Sequence, residues 1–180
     1  MYKNIPMPQE FIPDLLERRI SLLIHPIVLR HDKQTLEFVR IRPSVNSPLK
    51  SRRKPFVAIF NSDGFEHVVP CPWGSIGDTL RVLESVIEDP KTGGRIYWPK
   101  GDDAPAPGDM PVSFARIFLE IKDIYVKRLH EVSDEEIQRT GCDREEFQRR
   151  WARKHGVSGI RSWTANPWVW CFSVEPGRKQ

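Results

Sequence analysis

The residues most suited to chemistry in this chain are cations. Between Arg40 and Lys54 stand Arg40, Arg42, Lys50, Arg52, Arg53 and Lys54 with no carboxylate among them, interspersed with Pro43, Ser44, Asn46, Ser47, Pro48 and Ser51. Cations in such a run attract phosphates whatever the base sequence, and Pro/Ser spacing lets them track a backbone. The segment is expected to be an exposed basic loop that grips nucleic acid. The competing account is a solvated loop whose charge serves solubility. Arg149, Arg150, Arg153 and Lys154 form a second cluster at the end of an expected helix, where positive charge also complements the macrodipole. Aromatic faces beside arginines are what single-stranded recognition uses. Of the six tryptophans, Trp151, Trp168 and Trp170 sit in periodic segments and are expected in the core. Trp73, Trp98 and Trp163 lie in turn-rich stretches, and Trp73, next to Gly74, is the candidate stacking face.

Other chemistries find little support. The five histidines (His25, His31, His67, His130, His155) show no H-x-x-x-H or H-E-x-x-H spacing, and the three cysteines (Cys71, Cys142, Cys171) form no C-x-x-C pair, so neither a metal site nor any cofactor is expected. An odd, scattered set of cysteines also argues against a disulfide framework and for a reducing, cytoplasmic setting. Cys71 precedes a proline, with no adjacent cation to activate it as a nucleophile. No Gly-rich phosphate loop and no G-x-S-x-G elbow occur. A net charge of +4 and a pI near 9.1 tilt only mildly toward a polyanionic partner. The stretch from Arg18 to Leu29 begins with two arginines and turns apolar, but His25 and Pro26 break it. It is read as a buried strand and not as a signal peptide or membrane anchor.

The elements that must position these residues are short. Sixteen prolines and eleven glycines in 180 residues suit brief strands and irregular connections better than a helix bundle. Residues 1–17 are read as an N-terminal arm, docked or mobile, 18–175 as a single domain, and 176–180 as a tail. Strands are expected at Ile20 to Val28, less cleanly at Thr35 to Ile41, and at Phe56 to Phe60. The last ends in the turn Asn61-Ser62-Asp63-Gly64 and returns through His67-Val68-Val69 as a hairpin. Cys71 to Asp78 reads as a turn; Thr79 to Val86 reads as strand or helix from its apolar positions alone. Gly101 to Gly108 is a solvated loop, and Ser113 through Leu129 is a long β-type segment. Ser133-Asp134-Glu135-Glu136 is a capping box whose helix stops at Gly141, and Asp143 with Glu146 starts a second helix that ends at Gly156. Trp168 to Val174 is a closing strand.

Four segments, in order, resemble the bacteriophage branch of the ASCH domain family. They are Cys71-Pro72-Trp73-Gly74 with Gly77-Asp78-x-Leu80-x-Val82-x-Glu84; Met110-Pro111 with Ala115-Arg116-Ile117 and the strand Phe118 to Ile124; Val132 to Gly141 with Phe147 to Trp151; and Asn166-Pro167-Trp168-Val169-Trp170. The resemblance spans about residues 71 to 174. It implies an α+β fold, a PUA-like β-barrel of mixed, mostly antiparallel strands with a few peripheral helices, and it assigns Thr79 to Val86 to a strand. It also implies an RNA-, single-stranded-DNA- or nucleobase-binding module of phage origin working in the host cytoplasm. Glu84 and Arg116 match a family glutamate and arginine that line one cleft; the other account of the two is a structural ion pair at a barrel rim. Members that hydrolyse acylated cytidine share Gly-x-Lys-x-x-Thr-x-Arg, and His31 to Arg40 breaks that pattern in every register, with Thr140 near the family's second glutamate position. A missing base or cation costs such a site most of its rate. The chain is therefore expected to bind through Arg40, Arg42, Lys50, Arg52, Arg53, Lys54, Trp73 and Arg116 and not to hydrolyse. The enzymatic alternative is a nucleoside amidohydrolase or ribonuclease with a site rebuilt from Lys33, Thr35 and Glu84. A third reading is a phage factor that meets a protein partner.

Overall fold

Period-two apolar patterning produces most of the regular structure. The computed structural model describes residues 3–28, 37–43, 56–62, 64–97 and 110–178. Their strands are β1 (Lys3–Pro6), β2 (Leu22–Pro26), β3 (Glu37–Pro43), β4 (Phe56–Ser62), β5 (Phe65–Pro70), β6 (Thr79–Leu83), β7 (Val86–Glu88), β8 (Arg95–Tyr97), β9 (Phe118–Arg128) and β10 (Trp168–Pro176). Helices α1 (Ile12–Leu16), α2 (Asp134–Gln138) and α3 (Arg144–His155) complete an α+β chain that is mostly strand. Five strands form one sheet in the order β1-β6-β9-β10-β2, with β1 parallel to β6 and the other pairs antiparallel. A second sheet runs β3-β4-β5, and β7 and β8 make a separate ribbon. Among the described residues these sheets do not close into a barrel.

Alternation along β10 sorts the two faces of the large sheet. Trp168, Trp170, Phe172 and Val174 face a core completed by Phe38 and Ile41 of β3, Ala58 and Phe60 of β4 and Val69 of β5. Val169 and Cys171 face the opposite way and pack with Phe147 and Trp151 of α3 and Ile137 of α2. The arrangement is thus small sheet, large sheet, helices. Two irregularities keep the pattern consistent. An extra residue, Val39, lets both Phe38 and Ile41 reach the core although they are three apart, which is why this strand alternates poorly in sequence. In β9 the register shifts opposite Ser173 and Val174, so Ile121 and Ile124 share a face across the extra residue Lys122.

The helix signals act locally. The Ser133 hydroxyl accepts from Glu136 N at 3.2 Å while Ser133 N donates to Glu136 Oε2 at 2.8 Å, and Asp143 accepts from Glu146 N at 2.8 Å. Gly141 takes φ +84°, and a Cβ there would lie 2.9 Å from Ile20 Cγ1. Asn166 accepts from His130 N at 2.8 Å while holding φ +46°, and Pro167 O accepts from Leu129 N at 2.9 Å. The Asn-Pro pair therefore ties the start of β10 to the turn that follows β9.

Several expectations change. Residues 3–17 of the expected arm supply β1 and α1, and Ile5, Met7, Ile12 and Leu15 are buried in the main core. Arg40 and Arg42 belong to β3 and not to a loop: they pair with Ile59 and Val57 and point away from the core. Ser113 does not begin a strand, because Val112–Phe114 is a single 3-10 turn. Lys33, Thr35, Lys50, Arg52, Arg53, Lys54, Trp98 and the 101–108 loop lie outside the described residues.

Candidate functional site

The sequence places Glu84 directly after β6 and Arg116 two residues before β9. The ladder between these strands, extended by Val82 N donating to Ile117 O at 3.1 Å, brings the two side chains together across 32 residues. Arg116 Nε donates to both Glu84 oxygens, at 3.1 and 3.0 Å, and Nη2 donates to Oε1 at 2.7 Å. The Glu84 side chain is 0% exposed and that of Arg116 is 37% exposed. These bonds hold the guanidinium above its ordinary, already high pKa. Beneath the pair lies a small apolar cluster of Leu83, Met110, Ala115 and Phe118.

The ribbon adds an aromatic floor. The Arg116 guanidinium carbon sits 3.9 Å from the centroid of Tyr97, the last residue of β8, and the Tyr97 hydroxyl donates to Phe114 O at 2.8 Å. Arg95 repeats the motif, 4.9 Å over the ring of Phe114. Two cation–aromatic stacks are thereby joined through one hydrogen bond. Arg116 is fixed by a buried carboxylate at its edge and by a ring at one face, with its remaining donors toward solvent. Such a group recognises a phosphate oxygen or a base edge without first losing side-chain freedom. The same geometry disarms Glu84 as a general base, since both its oxygens already accept from Arg116. Tyr97, Arg95 and Phe114 escaped the sequence reading, which had no local signal to pair an isolated ribbon with a turn 17 residues on.

The remaining candidates are dispersed. Trp73 is half-buried, its ring 4.4 Å from Phe172 and 5.1 Å from His25, so it packs on the core and offers only part of one face. The turn that carries it is built by Asp78, whose Oδ2 accepts from Ser75 N at 2.8 Å. A Cβ on Gly74 would meet that oxygen at 2.5 Å, hence glycine there at φ +109°. Arg40 is exposed and Arg42 partly so, and among the described residues neither has an ion-pair partner. In the second cluster Arg149, Arg150 and Arg153 all pair with Glu146, and Arg153 also approaches Glu10 at 3.6 Å, so three guanidiniums share these carboxylates and the cluster keeps a net positive charge. Burial pushes the Cys71 thiol up to about 11, which removes it as a nucleophile. Among the described residues no three His, Cys, Asp or Glu side chains converge as metal ligands, and no helix is long and apolar enough to cross a membrane.

No protein-family model matches the chain, and no curated protein or solved structure matches it either.

Proposed function

We propose that the chain is a nucleic-acid-binding module that grips RNA or single-stranded DNA. The observation that carries this reading is Arg116, clamped by Glu84 and stacked on Tyr97 with its outer donors free for a ligand. Arg40 and Arg42 lie on the outer face of β3, and Lys50, Arg52, Arg53 and Lys54 follow them in sequence. A PUA-like barrel is the finer reading of the fold: the two sheets share one core and β3 approaches β9, as the sheets of a collapsed barrel would. The phage-type ASCH resemblance of residues 71 to 174 supports the same function in a host cytoplasm, and the three free cysteines accord with a reducing compartment. The hydrolase alternative needs Glu84 as a working base beside Lys33 and Thr35, whereas Arg116 already occupies both its oxygens.

A salt-titrated gel shift with mixed RNA and DNA oligonucleotides tests the proposal. Affinity is expected to fall steeply with salt, and R52A/R53A to flatten the slope by about 1.4 if each arginine meets one phosphate of a single strand. R116A is expected to weaken binding while changing that slope by less than R52A/R53A does. Absent binding at low salt, or binding indifferent to salt, refutes the reading.

A further inference from the structure

Among the described residues two charged residues are buried, Glu84 and Arg81. Glu84 has its cation in Arg116, whereas Arg81, 7% exposed, has no ion-pair partner among the described residues. Leu80 and Val82 of β6 enter the main core, so alternation turns Arg81 and Leu83 to the opposite face of the large sheet. There Arg81 stands in register with Asn4 of β1 on one side and Phe118 of β9 on the other. Its Nε donates to Asn4 Oδ1 at 2.9 Å, a neutral acceptor, and its Nη1 is buried with no hydrogen-bond partner. Asn4 is itself exposed on the edge strand, so only this side chain separates the guanidinium from the rim of the sheet. We propose that Arg81, with Asn4, forms a binding site for a phosphate group at the β1–β6 edge.

The charge is not relieved within the described fold. Arginine does not deprotonate in proteins, and a guanidinium buried beside a neutral amide keeps an uncompensated charge and unused donors. Glu84 follows three residues later, yet both its oxygens accept from Arg116, so the end of β6 carries one cation in excess. An anion from outside the chain supplies what is missing. A phosphate oxygen that takes the place of Asn4 Oδ1 meets the fork of Nε and Nη2, and the displaced Asn4 amide can donate to the same anion. A phosphodiester carries one negative charge, which matches the excess. Leu83 and Phe118, on the same face, belong to an apolar cluster, and a low local dielectric strengthens such a contact. An added peptide strand suits this edge less well, because β1 has only four residues and Pro6 among them has no N–H to pair. A cation held in this way lowers the stability of the free protein and restores it on binding.

The site goes beyond the nucleic-acid reading and is tested first without nucleic acid. Inorganic phosphate is titrated into the isotope-labelled full chain against chloride of equal ionic strength, with the Arg81 Nε–Hε resonance as reporter. Phosphate is expected to move that resonance saturably and chloride to leave it in place. R81M is expected to bind phosphate about tenfold more weakly or worse. In chloride R81M is expected to be at least as stable as the wild type, because it buries an apolar chain where the wild type buries an uncompensated charge. At about ten times its Kd, phosphate is expected to raise the wild-type Tm by about 3–5 °C more than that of R81M. An R81M variant that is less stable in chloride, or that fails to fold, assigns Arg81 a structural role and overturns the proposal. A wild-type resonance that phosphate does not move overturns it independently of any variant. An oligonucleotide without terminal phosphates that moves the same resonance identifies a backbone phosphodiester as the ligand, and a nucleoside monophosphate that alone moves it identifies a free monoester. Phosphate binding at Arg81 in a chain that shifts no oligonucleotide upholds this site while the nucleic-acid reading falls.

Discussion

Removing Arg116 is predicted to cost far more stability than neutralising its partner. Arg116→Met keeps most of the stem but leaves a carboxylate that is 0% exposed without the Nε–H and Nη2–H that make its three hydrogen bonds to Arg116. Stranding one member of a buried pair costs about 3–5 kcal/mol, and loss of the Tyr97 stack adds about 0.5–1 kcal/mol. Glu84→Gln is nearly isosteric, retains one acceptor oxygen and leaves a guanidinium that is 37% exposed and can draw on water, so its cost is about 1–2 kcal/mol. For a chain of this size each kcal/mol moves Tm by about 2–4 °C, which makes the two variants separable in thermal and urea unfolding. The double variant E84Q/R116M is expected to be more stable than R116M alone, because it buries an amide in place of an unpaired carboxylate. If E84Q costs as much as R116M, or the double variant is the least stable of the three, the pair is not the buried clamp described above.

Glu136 ties α2 and its N-cap to β9, accepting from Lys127 Nζ, the Tyr125 hydroxyl and Ser133 N. Burial alone would raise its pKa, but Lys127, the Ser133 amide and Tyr125 outweigh it and hold the carboxyl at about 2. A carboxyl held below its unfolded value stabilises the fold above pH 4.5, and that stability is lost as pH falls from 4.5 toward 2. Urea midpoints across this range should fall in the wild type and fall less in E136Q, which at neutral pH is less stable by about 2 kcal/mol. Gly141→Ala is expected to destabilise by about 1–3 kcal/mol, because it forces a side chain into a left-handed conformation and against Ile20; an unchanged Tm contradicts this. With burial raising the Cys71 thiol to about 11 and that of Cys171 to about 12, an aromatic disulfide reagent at pH 8 should modify both only after denaturation, with half-buried Cys142 reacting first. Rapid native labelling of three thiols would show the core to be open.

Features whose cause lies within a few residues were legible in the sequence. The capping box at Ser133, the start at Asp143, the stops at Gly141 and Gly156 and the hairpin between β4 and β5 depend on contacts at short separation, and they stand where the patterns put them. The core positions of Trp151 and Trp170 followed from periodicity for the same reason. What tertiary structure decided were matters of pairing over distance. The extra residues Val39 and Lys122 re-phase two strands, and an amphipathic pattern read at a fixed period of two cannot register such a slip. The first 17 residues contain little that foretells a parallel strand, because β1 is specified by β6 more than 70 residues away. Charge is the sharpest case. Arg149, Arg150 and Arg153 look in sequence like Lys154, yet only the fold shows that the first three share the carboxylate of Glu146 while Lys154 has no ion-pair partner among the described residues. Cation identity is local, but the potential a cation makes depends on every charge within a Debye length, and chain folding alone determines which those are.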